Sequence, residues 1–197
     1  MGLQIEDGMG GGHSARVDSK NRLRTYSVIE KEITHASEGE GGAYSWTSAS
    51  ADIDAGDTAL YLVNNSTSSL LMIESIYVWA NTATAFKIHC PAYATPAGGT
   101  LVTGVNLNRS SGNLANAIAR TDETANTFAE TNVIKTVRNT YYSRGNGDDL
   151  ADIAAAGPGI TIDFYGALIL GYHNSVAIDI IAETTAFQCT IVGYYHT

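Results

Sequence analysis

The chain has 197 residues, room for one domain and an appendage, with 44% hydrophobic residues, 16% charged residues and a formal charge of −9. Its side chains are weighted toward Ala, Thr, Asn, Ser, Gly, Tyr, Val and Ile rather than Glu, Lys and Leu, which favours strands and turns and predicts an all-β domain. No stretch approaches the roughly 20 apolar residues that span a bilayer, so no membrane partner is expected.

Residues 1–43 read as an extended N-terminal arm. They carry eight glycines and twelve charged residues, with only scattered large apolar side chains, too little burial to offset the entropy of ordering. The start lacks a signal peptide's apolar run and cleavage site, which predicts a protein made and used without export by that route. Four basic residues, Arg16, Lys20, Arg22 and Arg24, lie within nine positions of the arm. They form either a solvated patch or a contact with an acidic neighbour. The body from 44 to 197 holds thirteen acidic and six basic residues, the wrong balance for binding nucleic acid by neutralising phosphates.

Beyond the arm, Asp52 to Asp57 reads as a turn leading to a strand over Thr58–Asn64. Strands are expected next over Leu70–Ala80 and Ala83–Cys90, where Phe86, Ile88 and Cys90 alternate with Ala85, Lys87 and His89. Pro91–Gly99 reads as a loop, Thr100–Asn106 as a short strand, and 108–131 stays undecided between structures. Val133–Tyr142 is the next strand, 145–159 a loop holding at most one helical turn, and Ile160–Tyr165 is β again. Three strands close the chain, Ala167–Tyr172, Val176–Glu183 and Phe187–Tyr195. Eight or so short strands with no long amphipathic helix predict a jelly-roll-like two-sheet β-sandwich over 44–197.

No constellation for catalysis stands out. There is no nucleophile elbow, phosphate loop or His-Glu-x-x-His motif. His89 and Cys90 are adjacent on a strand and face opposite sides, so they cannot pair, and Cys90 reads as core. The two cysteines are expected as free thiols. The acidic turns around Asp52, Asp54 and Asp57 and around Asn146 to Asp152 lack the spacing of a calcium loop. The reading is a non-enzyme with no metal and no cofactor. Four aromatic pairs, Tyr44 with Trp46, Tyr77 with Trp79, Tyr141 with Tyr142 and Tyr194 with Tyr195, are either a subunit or sugar-binding surface or ordinary strand composition.

Two stretches resemble tailed-bacteriophage virion proteins encoded among head and tail structural genes. One is Leu3-Gln4-Ile5-Glu6-Asp7-Gly8 with Gly10, Ala15-Arg16-Val17-Asp18, Asn21-Arg22-Leu23 and Ser27-Val28. The other is Pro96-Ala97-Gly98-Gly99-Thr100 with the run Val105 to Asn113. Together they cover about a third of the chain. The resemblance implies a structural subunit of the virion, often trimeric with a jelly-roll body, and no catalytic residues. The expectation is a capsid decoration or cement protein whose partners are the major capsid protein or other virion proteins, and sister copies. Arg16, Arg22, Leu23, Arg24 and Val28 would contact the neighbour, and Tyr141, Tyr142, Tyr194 and Tyr195 would line a subunit or glycan surface. The alternative is a tail or head-fibre adaptor that binds host glycans.

Overall fold

A computed structural model describes residues 16–17, 23–24, 31–49, 51–81, 85–91, 98–121, 128–138, 159–181 and 184–196. The chain divides between residues 31 and 32. In the first unit, β1 (Arg16–Val17) pairs antiparallel with β2 (Leu23–Arg24), Arg16 opposite Arg24 and Val17 opposite Leu23.

The second unit opens with one turn of helix, α1 (Glu32–His35), continued by a π-helical turn over Ala36–Glu40. Gly41 ends it in the left-handed region at φ 61°, where glycine carries no Cβ penalty. Ala36 and Ala43 are buried with Tyr194. Residues 32–43, read from sequence as the end of the arm, are therefore built into the larger unit.

Twelve strands follow: β3 (Ala43–Thr47), β4 (Ala51–Ile53), β5 (Thr58–Asn64), β6 (Leu70–Ala80), β7 (Ala85–His89), β8 (Thr100–Val102), β9 (Val105–Asn106), β10 (Ala117–Thr121), β11 (Val133–Arg138), β12 (Ile160–Leu170), β13 (Ser175–Ile180) and β14 (Thr184–His196). The early strands pair with the late ones in nested, antiparallel order. β3 and β4 pair with β14, β5 with β13, β6 with β12 and β7 with β11. Pairing of β6 with β14 and of β7 with β13 joins these hairpins into two sheets. The first sheet runs β12-β6-β14-β3-β9 with β4 also on β14, and the second runs β11-β7-β13-β5-β10-β8. This is a jelly-roll sandwich, as the spacing of strand signals predicted. Strands β8, β9 and β10 are an insertion between β7 and β11; β9 extends the first sheet past β3, and β10 with β8 extend the second past β5.

The inner faces of both sheets form one core. Trp46, Ile73, Ile76, Phe187, Cys189 and Ile191 of the first sheet meet Leu60, Leu62, Phe86, Ile88, Ile178 and Ile180 of the second. The Phe86 and Phe187 rings meet edge to face, 6.5 Å apart. Each such fully buried side chain is worth about 1.5–3 kcal/mol relative to exposure. Along β6 the inward set is Leu71 and Ile73, then Ile76, Val78 and Ala80. The change of phase falls at a bulge, where Ser75 pairs with Val192 but Ile73 with Gly193. The extra residue there is Glu74.

Sequence and structure differ at several strands, β3 (Ala43–Thr47) among them, which lies ahead of the first strand expected from sequence. Ile160–Tyr165 and Ala167–Tyr172 are one strand, β12, because Tyr165 and Gly166, at φ 52° and 75°, form a bulge rather than a hairpin end. Thr100–Asn106 is two strands separated by residues 103–104. Ala117–Thr121, inside the undecided 108–131, is a strand because β5 and β8 flank it. The turn read over Asp52–Asp57 begins as β4, held by β14.

Candidate functional site

The two sheets present opposite surfaces to the outside. On the second, a row of residues in register runs Arg120, Tyr61, Ala177 and His89. Tyr61, Ala177 and His89 are buried even though they point away from the core. The cover is Phe128, stacked on Tyr61 at 5.7 Å between ring centroids and lying 5.2 Å from the His89 ring. His89 Nε2 also sits 3.3 Å from Asp179 Oδ2. Sequence reading separated His89 from Cys90 correctly but gave no sign of its partner, which lies ninety positions away. This face is sealed by the chain itself.

The first sheet is different. Its central row runs Thr161, Tyr77, Thr190 and Thr47 across four strands, with Thr47 Oγ1 3.0 Å from Thr190 Oγ1. The next row runs Asp163, Ser75, Val192 and Ser45. Thr47, Thr161 and Asp163 are exposed and Tyr77 keeps 38% exposure, against 0% for Tyr61 on the other sheet. Trp79 lies two residues from Tyr77 on the same side, paired with Gln188. Short hydroxyl side chains on paired backbone make a flat, polar face.

Charge separates the sheets as sharply as cover does. The strands of the first sheet contain no Lys or Arg and three carboxylates, Asp52, Glu74 and Asp163. Those of the second contain Lys87, Arg120, Lys135 and Arg138 against Asp179 alone. At one corner of the first sheet the Tyr194 phenol is raised above its ordinary pKa by burial and then by the charges of Glu32 and Glu74. Glu32 Oε1 is 3.6 Å from His196 Nδ1, but both groups are more than half exposed and the pair adds little.

The residues singled out from sequence are distributed as follows. Arg16, Leu23 and Arg24 lie on the paired strands β1 and β2, while Arg22, Val28, Tyr141 and Tyr142 lie outside the described residues. Tyr194 is buried under the helical turn against Ala36 and Ala43. Tyr195 points to the opposite side, its ring edge-on to Tyr44 at 5.8 Å, and burial pushes its phenol pKa up. The adjacent pair therefore splits between the two sides of its strand, and Tyr194 offers no exposed ring. Tyr44 and Trp46 are core residues. Among the aromatic pairs in the described residues, only Tyr77 with Trp79 lies on an open face.

The Asn-rich motif has a structural account. Asn106 Nδ2 donates to the carbonyls of Gly41 (2.8 Å) and Asn113 (3.1 Å), and its Oδ1 accepts from Asn108 N–H. Asn108 Nδ2 donates to Ser37 O at 2.9 Å. The motif thus pins the insertion to the helical turn. Nearby, Leu101 and Leu114 are 62% and 85% exposed, and Leu114 lines a shallow surface depression together with Arg109.

Both cysteines are free; burial raises the Cys90 thiol to about 11 and pushes Cys189 further up. Among the described residues no group of three or more His, Cys, Asp or Glu can hold a metal ion. No family model, no curated protein and no solved structure matches this chain.

Proposed function

We propose that the chain is a structural subunit of a bacteriophage virion, a capsid decoration or cement protein that attaches through its N-terminal unit and its jelly-roll body. The observation that carries this reading is the division of the chain into a small basic unit and a large acidic one. Residues 1–31 hold five basic and four acidic groups, residues 32–197 six basic and sixteen acidic. A basic appendage on an acidic β-sandwich suits attachment to acidic protein surfaces, and each added contact stabilises an assembled shell by mass action. The likeness of two motifs to phage virion proteins gives the setting, and sister copies and the major capsid protein are the partners it favours.

One observation supports a second reading, a tail or head-fibre component that binds host glycans. Tyr77 and Trp79 share an open face with Thr190, Thr47 and Gln188, a combination of rings, hydroxyls and an amide suited to neutral sugars. Counting copies per purified particle by quantitative mass spectrometry separates the two. Many copies spread over the shell support decoration, a few at one vertex support the tail reading, and absence from particles contradicts both.

A further inference from the structure

We infer that the outer face of the first sheet is the docking surface for the basic hairpin, residues 16–24, of a second copy of this chain. The inference rests on the proposed role as an assembly subunit and names the partner that the N-terminal unit takes.

The hairpin has a need that an acidic partner meets. Its register sets Arg16 directly opposite Arg24, and like charges directly opposite on paired strands are destabilising. Lys20 and Arg22 lie between them in sequence, so residues 16–24 carry four basic groups against the single Asp18. Such a hairpin is favoured where carboxylates stand nearby.

The first sheet has the complementary chemistry. Its strands carry Asp52, Glu74 and Asp163 with no Lys or Arg, and Glu32 projects beside its Tyr194 corner. Burial raises the Tyr194 phenol first, and the charges of Glu32 and Glu74 add to that rise. Between the carboxylates the row of Thr161, Tyr77, Thr190 and Thr47 offers hydroxyls and one ring, no bulky obstacle and no repelling cation. The second sheet is excluded on both counts, since Phe128 covers it and basic residues outnumber acidic ones along its strands. Charge complementarity of this kind gives register and on-rate. It is also weakened by salt.

The test is sedimentation velocity on the full-length chain across concentration and salt. Wild type should associate at low ionic strength and dissociate as salt rises. Two folded double variants, Arg16→Glu with Arg24→Glu and Asp163→Lys with Glu32→Lys, should each associate at least tenfold more weakly. Mixed in equal amounts they should regain a complex, because the unaltered basic hairpin of the second variant then meets the unaltered acidic face of the first. A wild type that stays monomeric, variants that associate as wild type does, or a mixture that stays apart while circular dichroism shows both partners folded would each overturn the inference. Particle binding is read separately by co-sedimentation. Self-association without particle binding leaves the inference standing and sinks the decoration role, and particle binding by a monomeric chain does the reverse.

Discussion

Two sheets of similar size, built from one nested set of hairpins, end with opposite outer faces. On the second, Tyr61, Ala177 and His89 are as buried as core residues because Phe128 closes over them. On the first, Thr47, Tyr77, Thr161 and Asp163 of the matching rows are exposed, and Ser45, Ser75, Thr190 and Val192 are half-buried. One sheet uses its outer face for the stability of the chain, and the other leaves Thr47, Thr161 and Asp163 exposed. A jelly roll by itself does not dictate this difference; among the described residues it comes from Phe128, which precedes β11 and packs on Tyr61 and His89.

The largest expected effect is on the covered side. Tyr61→Ala, which removes a fully buried ring together with its stack on Phe128, should cost about 3–5 kcal/mol in urea unfolding. Thr161→Val on the open face, at an exposed position, should stay within about 0.5 kcal/mol, as surface substitutions do. Equal losses at the two sites would remove the distinction between the faces.

The next effect concerns the corner where the open sheet meets the helical turn. Gly166 sits at φ 75°, and an added Cβ would lie 2.5 Å from Tyr194 Oη. Gly166→Ala should therefore cost about 1–2 kcal/mol from backbone conformation alone, with Tyr194 displaced as well. Near-wild-type stability would mean that the β12 bulge does not fix this corner.

A similar magnitude is expected at the insertion. Asn106→Ala deletes two hydrogen bonds to backbone carbonyls and the acceptor for Asn108 N–H, a loss of about 1–3 kcal/mol. It should also raise amide hydrogen exchange across 105–113 while leaving β13 protected. Uniform change over the whole body would show that the insertion is not separately pinned.

The smallest effect is with pH. Cys90, raised to about 11 from 9.0, and the raised phenols of Tyr44, Tyr194 and Tyr195 all hold their protons more tightly folded than unfolded. Their contribution is fully present below the unfolded values and declines as pH rises through the folded ones. Stability measured by denaturant should accordingly fall from about pH 9 upward. A rise in that window would contradict the burial of these groups.

Much of the fold is legible in the sequence where strands are strongly apolar. Thr58–Asn64 and Leu70–Ala80 match β5 and β6 end to end, because both are dense in Leu, Ile, Val and Tyr and are bounded by polar turns. Legibility fails where a neighbour supplies the order. The Ala-Ile-Ala-Arg-Thr run of β10 has low contrast with its surroundings and becomes a strand by pairing with β5 and β8. Gly166 signals a turn locally, but the long ladder on β6 carries β12 through it. Tyr194 and Tyr195 look like a surface pair on paper, and only the helical turn from residue 32 shows why Tyr194 is covered. The charge contrast between the sheets was likewise hidden, because strands of the two sheets alternate along the chain for most of its length.

The central claim is that the N-terminal unit attaches and the sandwich receives. It is tested most directly by deleting residues 1–31, the whole first unit, and measuring co-sedimentation of the remaining chain with purified particles that lack this protein. The account predicts a soluble, folded body that stays in the supernatant while the full chain pellets with the particles. A truncated body that pellets as fully as the intact chain would contradict it.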